Sequence, residues 1–102
     1  MKYEYPAIFI LLDDEGVGVE FPDSAGTVTQ GKDMKEALAL AEDVLNVMLK
    51  GHEDRGEKVP TPSSLGDLHL EKGTFAAIIH ADTDAYREMM KKQEQSKLEK
   101  VA

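Results

Sequence analysis

The sequence predicts an α+β domain in the order β-β-β-α-β-α: a four-strand sheet, one long helix on one face and a short C-terminal helix. Three observations point there. Period-two alternation of apolar residues recurs in residues 3–12 and 17–21. A stripe with helical spacing runs from Met34 to Leu49. Between them, Phe21 to Leu38 holds a strand end, a turn, a short strand, a glycine break and a helix start, a junction compact enough to fix a topology.

In the first strand Tyr3, Tyr5, Ala7, Phe9 and Leu11 alternate with Lys2, Glu4, Pro6, Ile8, Ile10 and Leu12. Its first half is amphipathic and its second half apolar on both faces, so the strand enters the sheet interior as it proceeds. Pro6 has no N–H to donate, which leaves one side of the strand's start unpaired. Asp13-Asp14-Glu15-Gly16 reads as an acidic hairpin turn in which Gly16 supplies a positive φ. Val17, Val19 and Phe21 alternate with Gly18 and Glu20, a second strand with one buried face. Pro22 and Gly26 bracket a loop, and β-branched Thr27-Val28-Thr29 forms a third strand that ends at Gly31.

Asp33 stands at an N-cap with Glu36 three residues on, the spacing of a reciprocal capping box. Met34, Ala37, Leu38, Ala41, Leu45, Met48 and Leu49 make the buried stripe of a helix expected to reach Arg55 and stop at Gly56. Residues 57–73 read as a long loop, with Val59-Pro60-Thr61-Pro62-Ser63-Ser64 extended and Leu65, Leu68 and Leu70 available to pin it to the core. Thr74 to Ala81 is apolar on both faces, which predicts a central strand. Asp82 or Asp84 caps the last helix, whose apolar edge (Tyr86, Met89, Met90) is narrow. Beyond about Gln95 fraying or a partner is expected. The division expected is residues 1–84 as the folded domain and 85–102 as a C-terminal helix and tail. One helix covers one face of such a sheet, so the other must be covered by the C-terminal helix, another copy of the chain or the partner; the Met89–Met90 edge is too thin to do this alone, which predicts self-association as a dimer or tetramer.

At 102 residues the chain is one domain. No cysteine is present, which excludes disulfides, zinc thiolates and thiol catalysis. The longest uncharged apolar run, Pro6 to Leu12, is too short to cross a bilayer, and no export signal is read, so a cytoplasmic protein is expected with no membrane partner. The net charge is −8, all of it within residues 1–81, where seven Lys/Arg face fifteen Asp/Glu. Such a body is repelled by phosphate backbones and attracted to basic proteins.

Taken in order, Tyr5-Pro6, Asp13 to Gly16, Phe21-Pro22-Asp23-Ser24-Ala25-Gly26, Thr29-Gln30-Gly31, Glu36-Ala37-Leu38 and Pro60-Thr61-Pro62-Ser63 resemble the pattern of the HicB-like antitoxin family, the acidic halves of HicA–HicB toxin–antitoxin pairs. The resemblance spans roughly residues 3–81 and rests on the ordered set. It implies a partial RNase H-like fold whose fourth strand lies beside the first. It also implies a basic HicA-type partner, a small toxin that cleaves mRNA using a histidine. Ala25 and Thr27 depart from the family's commoner proline and cysteine. Many members carry a C-terminal DNA-binding segment that has no counterpart here, so the expectation is against DNA binding.

Catalytic readings are weaker. A two-metal nuclease of the RNase H kind needs an Asp within the first strand, and residues 3–12 offer only Glu4. His80-Ala81-Asp82-Thr83-Asp84 reads more simply as a strand end and helix cap than as a metal site. Ser24, Ser63 and Ser64 have no glycine elbow and no base. No catalytic residue, cofactor or metal is expected. The residues expected to meet a basic partner are Asp13, Asp14, Glu15, Glu20 and Asp23, placed near one end of the hairpin. A stand-alone module of the same fold that binds RNA or a small ligand is the alternative, and a metal-dependent nuclease is a third.

Overall fold

The computed structural model describes the backbone of residues 1–101 and the side chains of residues 1–94. Beyond about Gln95, where fraying or a partner is expected, the backbone continues as helix to Val101, and the side chains there lie outside the described residues. Strands β1 (Lys2–Leu11), β2 (Val17–Glu20) and β3 (Val28–Gly31) precede helix α1 (Met34–Asp54). A single 3-10 turn at Leu65–Asp67, strand β4 (Thr74–Asp82) and helix α2 (Thr83–Val101) follow. The sheet is antiparallel throughout, in the order β3-β2-β1-β4. The predicted element order and the placement of the fourth strand beside the first both hold.

Strand β1 pairs with β4 from Lys2 to Ile10 but with β2 only from Ile8 to Leu11. Residues 2–7 therefore have a neighbour on one side alone. Main-chain bonds from Thr83 N to Met1 O and from Leu11 N to Gly73 O fix the phase of the β1–β4 ladder. By alternation, Pro6 turns its nitrogen toward the side that β2 has vacated, where no donor is needed.

The core lies between the sheet and α1. Tyr5, Ala7, Phe9, Val17, Val19, Ile79 and Ala81 pack under Ala37, Ala41, Leu45 and Leu49, each at most 5% exposed. Asp33 caps α1 through its Oδ1, which accepts from Glu36 N at 2.9 Å. The return bond differs from the expected box: Glu36 Oε1 accepts from Lys32 N, one residue further back. The helix stops where expected, at Arg55, with Gly56 at φ 66°.

Gly31 is more than a break. A β-carbon there would sit 2.4 Å from the Ala37 nitrogen, so β3 is able to reach the first turns of α1 only because the side chain is absent.

Three expectations are corrected. Strand β4 is an edge strand, not a central one. Apolar faces report what lies above and below a strand, whereas edge position is set by hydrogen-bonded neighbours, about which side chains are silent. Helix α2 is not short, at 19 residues against 21 for α1. Asp82 caps it, accepting from Ala85 N, and neither Gly nor Pro follows Gly73 to end it. The division at 84/85 falls inside its first turn. Leu65 and Leu70 do not anchor the long loop, being 44% and 41% exposed. Hydrogen bonds hold it instead: the Tyr5 hydroxyl donates to Pro60 O, and Ser63 donates to Asp23.

On the second face of the sheet, Ile8, Ile10, Ala76 and Ile78 are only half-buried. His69, Glu71 and Thr74 border a shallow cavity over Ile8 and Ile10, so the loop covers part of this face. Helix α2 packs at the C-terminal end of α1, where Arg87 reaches Glu53 and Asp54.

Gly31→Ala should lower stability by about 3 kcal/mol through overpacking against α1, read as a reduced urea midpoint by circular dichroism. An unchanged midpoint would show that β3 and α1 are not in this contact.

Candidate protein-binding surface

The β1–β2 turn is a three-residue hairpin loop closed by Leu12 N to Gly16 O at 2.9 Å and Glu15 N to Leu12 O at 3.2 Å. Glu15, not Gly16, takes the positive φ, at 69°. Gly16 serves a different need. It is buried, its N–H donates to Asp14 Oδ1 at 3.0 Å, and a β-carbon there would lie 2.9 Å from that oxygen and 3.3 Å from Gly31 O. Holding a glutamate in the left-handed region costs roughly 1 kcal/mol. Asp13, Asp14 and Glu15 are all exposed, and among the described residues none forms a salt bridge.

The fold adds residues to this tip that local sequence does not. Asp14 shares a surface hollow with Gln30, Lys32 and Glu36, so the start of α1 lies beside the turn. Apolar surface adjoins it as well. Leu11, the last residue of β1, is 61% exposed, and on the same sheet face Phe75, 40% exposed, stacks on Phe9 with ring centroids 5.0 Å apart.

The five acidic residues read from the sequence do not form one cluster. Glu20 ends β2 opposite Ile8, roughly 10 Å along the strand from Val17. It borders the second-face cavity with Glu71. Asp23 lies beyond that, and both its oxygens are engaged: Oδ2 accepts from Ser63 N at 2.8 Å and Oδ1 from the Ser63 hydroxyl. It acts as the latch of the 57–73 loop. A hairpin has two ends, and the expectation of one acidic end merged them. The Phe-Pro-Asp loop and the Pro-x-Pro-Ser loop, 40 residues apart, meet through this one carboxylate.

Glu53 was not singled out by sequence. Its Oε2 accepts from the Tyr3 hydroxyl at 2.6 Å and from Thr83 Oγ1 at 2.9 Å, and its Oε1 accepts from Arg87 at 3.0 Å. Burial pushes its pKa up, but the bonds from Tyr3, Arg87 and Thr83 outweigh burial and hold it below the ordinary value. The same bond to Glu53, with burial, raises the Tyr3 phenol to about 12. The hub ties β1, α1 and α2 together and is structural. Among the described residues no group of three His, Asp or Glu side chains is placed to hold a metal ion. Among the described residues no helix is long and apolar enough to cross a membrane.

Comparison with known proteins gives a consistent answer. The family described as HicB_like antitoxin of bacterial toxin-antitoxin system matches residues 5–99. Two proteins of Photorhabdus laumondii are similar: Antitoxin HicB 2, 36% identical over 59 residues, and Antitoxin HicB 1, 31% identical over 67. The matches take in 58% and 66% of this chain and 42% and 43% of those proteins, less than half their length. A chain of the toxin–antitoxin complex from Streptococcus pneumoniae superposes with a TM-score of 0.76 at 24% identity, covering 84% of this chain and 73% of that one. The N-terminal domain of Burkholderia pseudomallei antitoxin HicB gives 0.67 at 22% identity, covering 76% and 95%. At these identities the structures speak for the fold.

Glu15→Gly should stabilise the domain by about 1 kcal/mol by relieving the left-handed strain, seen as a higher melting temperature; a lower one would mean that the turn differs. Glu53→Gln should cost about 2 kcal/mol at neutral pH. A carboxylate with a depressed pKa stabilises above its unfolded pKa and loses that contribution as pH falls, so the gap between wild type and Glu53→Gln should close in acid. The raised Tyr3 pKa acts in the other direction. Its contribution is complete below pH 10 and is lost as pH climbs toward about 12. Melting temperatures across pH for both chains check both arms; a gap that stays constant into acid would contradict the assignment.

Proposed function

The chain belongs to the HicB-like antitoxin family of bacterial toxin–antitoxin systems, and from that membership we propose that it binds and neutralises a small basic HicA-type toxin in the cytoplasm. It covers the surface with which the toxin grips mRNA and breaks no bond itself. The observation that carries this reading is the exposed acidic tip of Asp13, Asp14 and Glu15, none of which forms a salt bridge among the described residues, on a chain of net charge −8. Toxin side chains that hold RNA phosphates are cationic, and the tip competes for them by the same attraction.

The contact divides into a charged part and an apolar part. Exposed ion pairs contribute at most about 1 kcal/mol each, so charge governs encounter and register while apolar contact supplies most of the affinity. Leu11, next to the turn, and Phe75, on the same sheet face, are exposed and fit the apolar role. Glu20, beside Glu71 across the sheet, is a secondary contact. Asp23 acts indirectly by holding the loop, since its oxygens are occupied by Ser63. The half-buried second face, only partly covered by the loop, supports self-association of the chain.

Expressed with a small basic protein encoded beside it, the chain should co-purify with that protein and restore growth to cells in which the protein is toxic. The triple variant Asp13→Lys, Asp14→Lys, Glu15→Lys should keep its fold and lose rescue, with binding weakened at least tenfold in low salt. Full rescue by that variant would contradict the assignment of the surface.

A further inference from the structure

Resting on the self-association proposed above but placing it at the sheet edge instead of the second face, we propose that a second copy of this chain docks on the free edge of β4, the two β4 strands pairing antiparallel across a two-fold axis at Ile78. Two four-stranded sheets then become one of eight strands.

The ladder phase identifies the free groups. Thr83 N to Met1 O and Leu11 N to Gly73 O turn the odd-numbered main chain of β4 toward β1. The even-numbered residues therefore aim their N–H and C=O outward. Both ends of that row are closed within the chain: Thr74 N donates to Glu71 O at 3.2 Å, and Asp82 N donates to Asn46 Oδ1 at 3.1 Å. Between them Ala76, Ile78 and His80 have no such outward partner among the described residues. With the axis at Ile78, that residue faces its own mate and Ala76 faces the mate's His80, giving roughly six new main-chain hydrogen bonds.

The edge also lacks the features that keep an edge single. Its nine residues contain no Pro, Lys or Arg. The opposite edge, β3, has four residues and runs directly into Lys32.

Charge selects a second copy as the occupant. Two bodies of net charge −8 repel each other over most of their surface. Thr74 to Ala81 carries no Asp, Glu, Lys or Arg, so two copies meet here without opposing like charges. A basic partner gains nothing from this strip. The pairing also leaves both acidic turns accessible. Each lies at the Gly73 end of its β4, about 17 Å along the strand from the axis, so the two point to opposite ends of the joined sheet.

Sedimentation equilibrium on the full chain at micromolar concentrations should give twice 11.3 kDa. Ala76→Pro removes an outward N–H that β1 does not use, as Pro6 does in β1, and should give a monomer with an unchanged circular dichroism spectrum. Met89→Lys with Met90→Lys on the exposed side of α2 should leave the dimer intact. In the wild-type dimer the Ile78 and His80 amides should exchange slowly, and faster on dilution. Fast exchange of these amides in a dimer, or a dimeric Ala76→Pro, would overturn the edge assignment alone. A dimer lost with the α2 variant and kept with Ala76→Pro would overturn it in favour of α2. A monomeric wild type would overturn self-association as well, leaving toxin docking untouched.

Discussion

The unequal lengths of β1 and β2 govern this molecule. Strand β1 runs for ten residues, yet β2 accompanies only its last four. The missing neighbour leaves a step beside Tyr5, Pro6 and Ala7, on the side where Pro6 needs no donor. The loop 57–73 is drawn to this step by the Tyr5 hydroxyl and fastened by Asp23. What would otherwise be an unsupported long connection becomes a second layer over part of the sheet. The far end of β1 runs on past this layer into the hairpin. There the chain turns tightly through Asp13, Asp14 and Glu15 and leaves them in solvent.

The two ends therefore do different work with similar residues. Asp23 and Glu53 spend their oxygens on hydrogen bonds that hold segments together, and the bonds to Glu53 set its titration. Asp13, Asp14 and Glu15 have almost no internal bonds, and Glu15 even occupies a backbone region better suited to glycine. Glu15 carries this backbone strain while its side chain forms no salt bridge among the described residues. The β4 edge is the opposite in character, with no Asp, Glu, Lys or Arg from Thr74 to Ala81.

Much of this was readable in the residues themselves, and the gaps have physical causes. The α1 stripe, its Asp33 cap and its end before Gly56 follow from local spacing, and local signals survive folding. Strand order followed from the resemblance. Gly16 and Glu15 exchanged their expected roles because a hairpin places φ by loop length, while the glycine was needed for room beside Gly31. Asp23 looked like a surface acid because its partner, Ser63, lies 40 residues away. Glu53 was invisible for the same reason, with partners 30 to 50 residues distant. Strand β4 read as central because apolarity on two faces describes burial and is silent on which edge is paired. The exposed Leu11 beside the turn carried no local signal, since an alternating strand would place it inward.

The most direct test is the association rate of the purified chain with a basic toxin encoded beside it, followed by stopped flow across a salt series. Docking led by the acidic tip predicts a fast rate that falls steeply as ionic strength rises, with a much flatter dependence once Asp13, Asp14 and Glu15 are reversed. A rate indifferent to salt, or equal salt dependence in both chains, would contradict it.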